Sequence, residues 1–170
     1  ESLLCDGMMD RNFCKYLLQS IGRRQRFKGG SGQIVASPTR AFLKNIGPGE
    51  AFPEPIPLKE EQTNTSVVYG DKWIFKLFRQ LGEGINPELE IGRFLTEKTA
   101  FTSVPPLAGA LEYRRPNARP ISLAILQGFV HNEGNAWKYT QDSLENYFQY
   151  MLARATTRQL PLPRKHLLFL

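Results

Sequence analysis

The sequence predicts an α+β domain built on an antiparallel sheet with one helix inserted among its strands, preceded by a small α/β cap subdomain. Three observations carry this. Residues 63–69 and 72–79 are β-rich runs joined at Gly70-Asp71, a favourable hairpin turn. A helical pattern follows, with Asn86 as N-cap, Pro87 in the first turn and an end near Lys98. Leu107–Tyr113 and Ile121–Gln127 then form a second strand pair across the polar turn 114–120. The order is strand, strand, helix, strand, strand.

The leading segment has its own pattern. Asp10 is placed to cap a helix over 10–22, in which Phe13, Leu17 and Ile21 recur at four-residue spacing and predict its buried face. Gly29-Gly30-Ser31-Gly32 breaks the chain. It lacks the Gly-Lys-Ser/Thr ending of a P-loop and reads as a turn. Short strands are expected at Gln33–Ala36 and Arg40–Lys44. Pro48, Pro53, Pro55 and Pro57 make 47–58 a linker, because proline lacks the N–H that ladders and helices use. Beyond the second strand pair, a looser stretch from His131 to Tyr139 leads to a helix over about 140–155. Three regions result: a cap over 1–55, a sheet-and-helix lobe over 56–130, and a connector with the start of a further lobe over 131–170.

Bulk properties exclude several classes. With 170 residues the chain can bury a core, and 41% hydrophobic with 22% charged residues is ordinary for a globular protein. No apolar run reaches the roughly 20 residues that span a bilayer, and Glu1 to Asp10 lack the order of a secretion signal. Cys5 and Cys14 make no disulfide framework, and no Cys/His cluster suggests a metal site. A cytoplasmic location and no membrane partner are therefore expected. The net charge of +6 invites a nucleic-acid reading. Much of it sits in one run, Arg23, Arg24, Arg26 and Lys28, without stacking aromatics or a helix-turn-helix spacing, so a solvated face is expected and no nucleic-acid partner.

One constellation carries chemistry. In Trp73-Ile74-Phe75-Lys76-Leu77-Phe78 five large apolar residues surround a lysine, the pattern of a central strand. An ammonium there is costly unless it is paired or faces a ligand. The other reading makes the strand an edge and lets the lysine stem reach water. On the next helix Ile91, Phe94 and Leu95 mark an apolar face, and Glu90, one turn before Phe94, projects toward it. A strand lysine paired with a helix glutamate is how kinases hold a lysine against nucleotide phosphates; without a ligand it is a structural salt bridge. Asn64-Thr65-Ser66 is a small polar turn that could cover phosphates, although the glycine-rich lid is absent. At the end of Ile121–Leu126, Gln127-Gly128-Phe129-Val130 would be the hinge. There the Gly128 carbonyl and Val130 amide would bond the adenine edge, with Gln127 at the back of the pocket.

The long runs around these residues resemble the bacterial maltokinases, including those fused to trehalose synthase. The match rests on Glu61–Asp71, Ile74–Arg79 and Gly84–Glu97, then on Val104–Tyr113 and Leu126–Val130, and on the stretch from Gly22-Arg23-Arg24 to Ser37-Pro38-Thr39. It covers about residues 10–150. The resemblance implies a protein-kinase-like N-lobe behind a small cap. It also implies ATP and Mg²⁺ as cofactors, and transfer of phosphate to the anomeric hydroxyl of maltose, giving maltose 1-phosphate. Carried over by position, Lys76 contacts the phosphates, Glu90 pairs with it, and Asn64, Thr65 and Ser66 form the phosphate-side loop. A trehalose synthase domain or subunit is the implied protein partner. The family's His-Gly-Asp segment and following metal motif have no counterpart here: neither His131 nor His166 precedes Gly-Asp. The expectation is a kinase front portion without catalytic or metal residues. The alternative is a non-catalytic kinase-like interaction module beside a trehalose or α-glucan enzyme.

Overall fold

The computed structural model describes residues 6–47, 51–58, 64–134 and 136–155. The described strands are β1 (Arg26–Lys28), β2 (Gln33–Pro38), β3 (Pro55–Pro57), β4 (Asn64–Tyr69), β5 (Trp73–Phe78), β6 (Leu107–Arg114) and β7 (Ile121–Gly128). They form one antiparallel sheet in the order β1-β2-β6-β7-β5-β4-β3. The helices are α1 (Arg11–Gly22), α2 (Arg40–Asn45), α3 (Pro87–Lys98) and α4 (Ala136–Ala155). The architecture is thus α+β on an antiparallel sheet.

β5 lies between β4 and β7, which settles the placement of Lys76 on a central strand. The β4–β5 turn forms at Gly70, whose φ of +58° suits glycine, and Lys72 N–H donates to the Tyr69 carbonyl at 3.3 Å. The sheet also runs across the position near residue 55, because β2 pairs with β6 from Gln33↔Arg114 to Pro38↔Gly109. By contact the chain divides after Val130 into two compact units. In the second, α4 exposes Trp137, Tyr139 and Phe148 by more than half.

Several expectations need correction. Arg40–Lys44 is helical, not a strand: Thr39 caps α2 by accepting from Ala41 N–H at 3.2 Å, and its own N–H donates to the Ala108 carbonyl at 2.8 Å. Phe42 is then buried and stacks on Trp73 with ring centroids 5.8 Å apart. The proline-rich segment is not wholly a linker, since β3 pairs with β4 through Ile56↔Val68. Prolines are tolerated there because β3 is an edge strand. Asp10 caps α1 as expected, accepting from Asn12 N–H at 2.8 Å. The buried face, however, is Cys14, Leu18 and Ile21, while Phe13 stays 43% exposed. The last helix begins at Ala136, four residues earlier than expected.

α1 ends with Arg24 at φ 55°, in the left-handed position usually given to glycine. Arg24 N–H donates to Ile21 O at 3.1 Å and Gln25 N–H to Ser20 O at 2.9 Å, closing a Schellman motif. A non-glycine residue costs about 1 kcal/mol there, partly offset by glycine's larger unfolded-state entropy. Arg24→Gly should therefore raise unfolding free energy by about 0.5 kcal/mol, read as a higher urea midpoint at constant slope.

One face of the sheet packs on α1 and α2 around Cys14, Leu18, Phe42, Val67, Tyr69, Trp73 and Phe75. Tyr69 Oη donates to the Cys14 carbonyl at 2.7 Å. Burial pushes the Tyr69 hydroxyl above the ordinary phenol range, and the Cys14 thiolate nearby adds to this. Burial also raises the Cys14 thiol, helped by Asp10 and then Asp6. Both groups hold their protons more tightly folded than unfolded. The stability this represents is complete below the unfolded values, about 8.5 for a thiol and 10 for a phenol, and is lost as pH rises beyond them. Urea midpoints should be level with respect to these groups to about pH 8 and fall above it. Tyr69→Phe should shed the part of that fall lying above about pH 10.

Candidate functional site

The other face of the sheet carries the site. In the ladders Lys76 lies opposite Ser66 on β4 and Ile125 on β7, while Ile74 lies opposite Val68 and Gln127. Directly opposed residues in antiparallel strands share a face. Lys76, Ile74, Ile125 and Gln127 therefore project together, with Gln127 two residues, about 7 Å, along the sheet from the lysine row. α3 packs over this face through Leu89, which is buried among Phe78, Leu107, Ala110 and Ile125.

The start of α3 is fixed at three points. The Asn86 side chain accepts from Glu88 N–H at 2.8 Å. The Asn86 N–H donates to Ser122 Oγ on β7 at 2.9 Å, tying the cap to the sheet. Leu89, fully buried, sets the rotation of the helix. These constraints bring Glu88 over Lys76, and Lys76 Nζ donates to Glu88 Oε1 at 2.9 Å. The side chains are 25% and 39% exposed, so the pair adds little stability and keeps access to a ligand.

The lysine–glutamate pairing is therefore present, but on Glu88 and not on the expected Glu90. The packed stripe of α3 runs through buried Leu89 and half-buried Gly92, Arg93 and Thr96, the i, i+3, i+4, i+7 positions of one face. Glu88 flanks that stripe on the Lys76 side, whereas Glu90 lies on its other flank and is exposed. Of Ile91, Phe94 and Leu95, expected to define the packed face, Ile91 and Phe94 are each 58% exposed and Leu95 is half-buried.

Asn64, Thr65 and Ser66 also differ from expectation. They open strand β4, paired with Phe78, Leu77 and Lys76, and do not form a loop. Ser66 is fully buried, and the Thr65 hydroxyl accepts from Arg79 Nε at 3.2 Å. Residues 59–63, ahead of them, lie outside the described residues.

Gln127 and Gly128 end β7, with Gly128 opposite Trp73. The Gly128 N–H donates to the Pro106 carbonyl and the Phe129 N–H to the Lys72 carbonyl, both at 2.9 Å. These bonds hold the segment extended as it leaves the sheet. Val130 is 56% exposed at its end.

The arrangement can hold an anionic group at the Lys76 ammonium, with the Gln127–Val130 backbone beside the same face. Among the described residues no three His, Cys, Asp or Glu side chains form a group able to hold a metal ion. Asp6 and Asp10 cap helices, while Asp71 and Asp142 are exposed. The described residues thus do not fit a Mg²⁺ site. Among them no helix is long and apolar enough to cross a membrane.

Reading from sequence also missed the Arg93–Glu112–Arg114 cluster behind α3. Glu112, 1% exposed on β6, accepts from Arg93 of α3 at 3.3 Å and from Arg114 at 3.1 Å. A lone carboxylate inside the apolar run Leu107–Tyr113 was the available signal, since a buried carboxylate needs cations. No family model matches the chain.

Proposed function

We infer that this chain supplies the nucleotide-binding lobe of an ATP-dependent small-sugar kinase of the maltokinase kind, whose reaction phosphorylates maltose at its anomeric hydroxyl. The observation that carries the reading is the 2.9 Å ion pair between Lys76 on a central strand and Glu88 on the following helix. That is the pairing by which protein kinases hold their phosphate-contacting lysine. The sequence of strand, strand, helix, strand, strand through β4, β5, α3, β6 and β7 supports the same reading.

In this reading the Lys76 ammonium neutralises the nucleotide's phosphates, and Glu88 holds it by charge and hydrogen bond. The Gly128 carbonyl and Val130 amide bond the adenine edge, with Gln127 behind it. Positioning of the sugar hydroxyl and of Mg²⁺ requires groups outside this constellation, so the contribution here is nucleotide capture and orientation.

Two measurements test it. A fluorescent ATP analogue should bind the chain saturably, be displaced by ATP, and lose binding in Lys76→Met. In parallel, the intact mass of the natural gene product is determined and a coupled ADP-release assay with maltose is run on it. A longer product that turns over ATP with maltose supports the kinase. No analogue binding, together with a gene product silent toward every sugar, would overturn the reading in favour of a non-catalytic partner of a trehalose or α-glucan enzyme.

A further inference from the structure

A second feature stands apart from Lys76, at the other side of the sheet. The Gly29-Gly30-Ser31-Gly32 turn between β1 and β2 faces the end of β6 across a groove of about 520 Å³. The groove is lined by three cations, Lys28, Arg114 and Arg115, and by no carboxylate.

The charges do not cancel locally. Arg115 pairs with Glu83 at 2.6 Å, which neutralises one cation. Arg114 shares the single carboxylate of Glu112 with Arg93, so that cluster keeps one positive charge. Lys28 is exposed and has no carboxylate partner among the described residues. Two uncompensated positive charges therefore belong to the groove and its supporting cluster.

The turn is shaped to bring main chain close. Gly29 N–H donates to the Gly32 carbonyl at 2.8 Å. A Cβ at Gly32 would lie 2.7 Å from the Arg114 carbonyl and 2.8 Å from the Tyr113 ring, so only glycine lets the turn approach β6. Ser31 Oγ and Tyr113 Oη sit 3.0 Å apart, adding two hydroxyls at the rim. Exposed turn amides beside arginine and lysine can serve as donors to an anion.

We propose that this groove is a binding site for a tetrahedral oxyanion, either inorganic phosphate or the phosphate of a small phosphomonoester. The anion accepts from the exposed Lys28 ammonium and from the turn amides after Gly29, with Arg114 beside it, and Ser31 adds a hydroxyl donor. The site is independent of the nucleotide face.

The test follows backbone amide resonances of the chain during titration with inorganic phosphate, with glucose 6-phosphate, and with sodium chloride at matched ionic strength. Gly29, Gly30, Ser31 and Gly32 amides should shift saturably with phosphate and not with chloride. Stronger binding of glucose 6-phosphate would identify the phosphomonoester as the ligand, and equal or weaker binding the free anion. Lys28→Gln should weaken affinity about tenfold through loss of a charge-assisted bond. Gly30→Asp puts a carboxylate where nothing lies within 4 Å of the new Cβ, and should abolish the response without disturbing the fold. Lys76→Met should leave the response intact, separating this site from the nucleotide reading. Unsaturating shifts common to all three salts, or full affinity in both Lys28→Gln and Gly30→Asp, would overturn the proposal.

Discussion

If the proposed kinase reading holds, replacing Lys76 with methionine is expected to lower kcat/KM by at least 10²–10³-fold, the cost of removing one preorganised charge from a phosphoryl-transfer site. Folding should survive, because the pair is partly exposed and pairs of that kind contribute about 0–1 kcal/mol. Methionine keeps the stem that β5 packs. Neighbouring substitutions sharpen the test. Glu88→Gln keeps shape and removes the charge holding the ammonium, and should cost about tenfold or more in kcat/KM. Glu90→Gln, at an exposed position, should be close to wild type. If Glu90→Gln is the damaging change and Glu88→Gln is silent, the geometry described here is not the working one. If Lys76→Met retains full activity, the lysine has no role at the phosphates.

The difference between Glu88 and Glu90 shows where sequence reasoning stopped. Existence, order and ends of α3 and of the four strands around it were legible, because Gly70-Asp71, Asn86-Pro87 and the apolar runs are local signals. The rotation of α3 was not. Its packed stripe holds one buried large apolar residue, Leu89, and three half-buried residues whose role is close approach or hydrogen bonding. Gly92 lies against Leu107, Arg93 reaches Glu112, and the Thr96 hydroxyl accepts from Leu107 N–H at 2.8 Å. Periodicity weighs hydrophobicity, so it selected Ile91 and Phe94, which the fold leaves exposed. The choice of Glu90 over Glu88, two residues or about 200° round the helix, follows directly from that.

α2 and β3 were missed for a different reason. Arg40–Asn45 is six residues, too short for a helical period to declare itself, and its decisive signal was the Thr39 cap. β3 reads as a linker because Pro55 and Pro57 cannot donate. It forms because an edge strand needs few donors, and Leu58 N–H reaches the Ser66 carbonyl at 2.9 Å just beyond it. Asn64-Thr65-Ser66 carried two signals, the β-rich run 63–69 and a small polar turn, and pairing with β5 decides for the strand.

Glu112→Ala is expected to produce the largest loss of stability of any single change considered, about 2–3 kcal/mol. The carboxylate is 1% exposed and holds two guanidinium groups, Arg93 from α3 and Arg114 from its own strand. Breaking a fully buried pair costs about 3–5 kcal/mol, because a charge is left without its partner. The arginines here are 32% and 48% exposed and can turn to water, which places the cost below that range. Arg93→Ala should cost less, about 1 kcal/mol, since Glu112 keeps Arg114. A double-mutant cycle between Arg93 and Glu112 should then give a coupling above about 0.5 kcal/mol. The measurement is the urea midpoint at unchanged slope. The cluster joins α3 to β6, and the orientation of α3 is what presents Glu88 to Lys76. Arg93→Ala should therefore also weaken binding of the ATP analogue while Lys76 itself is untouched. Should Glu112→Ala unfold within about 0.5 kcal/mol of the parent, the cluster is incidental, and Leu89, the Asn86–Ser122 bond and the Thr96–Leu107 bond hold the helix in place.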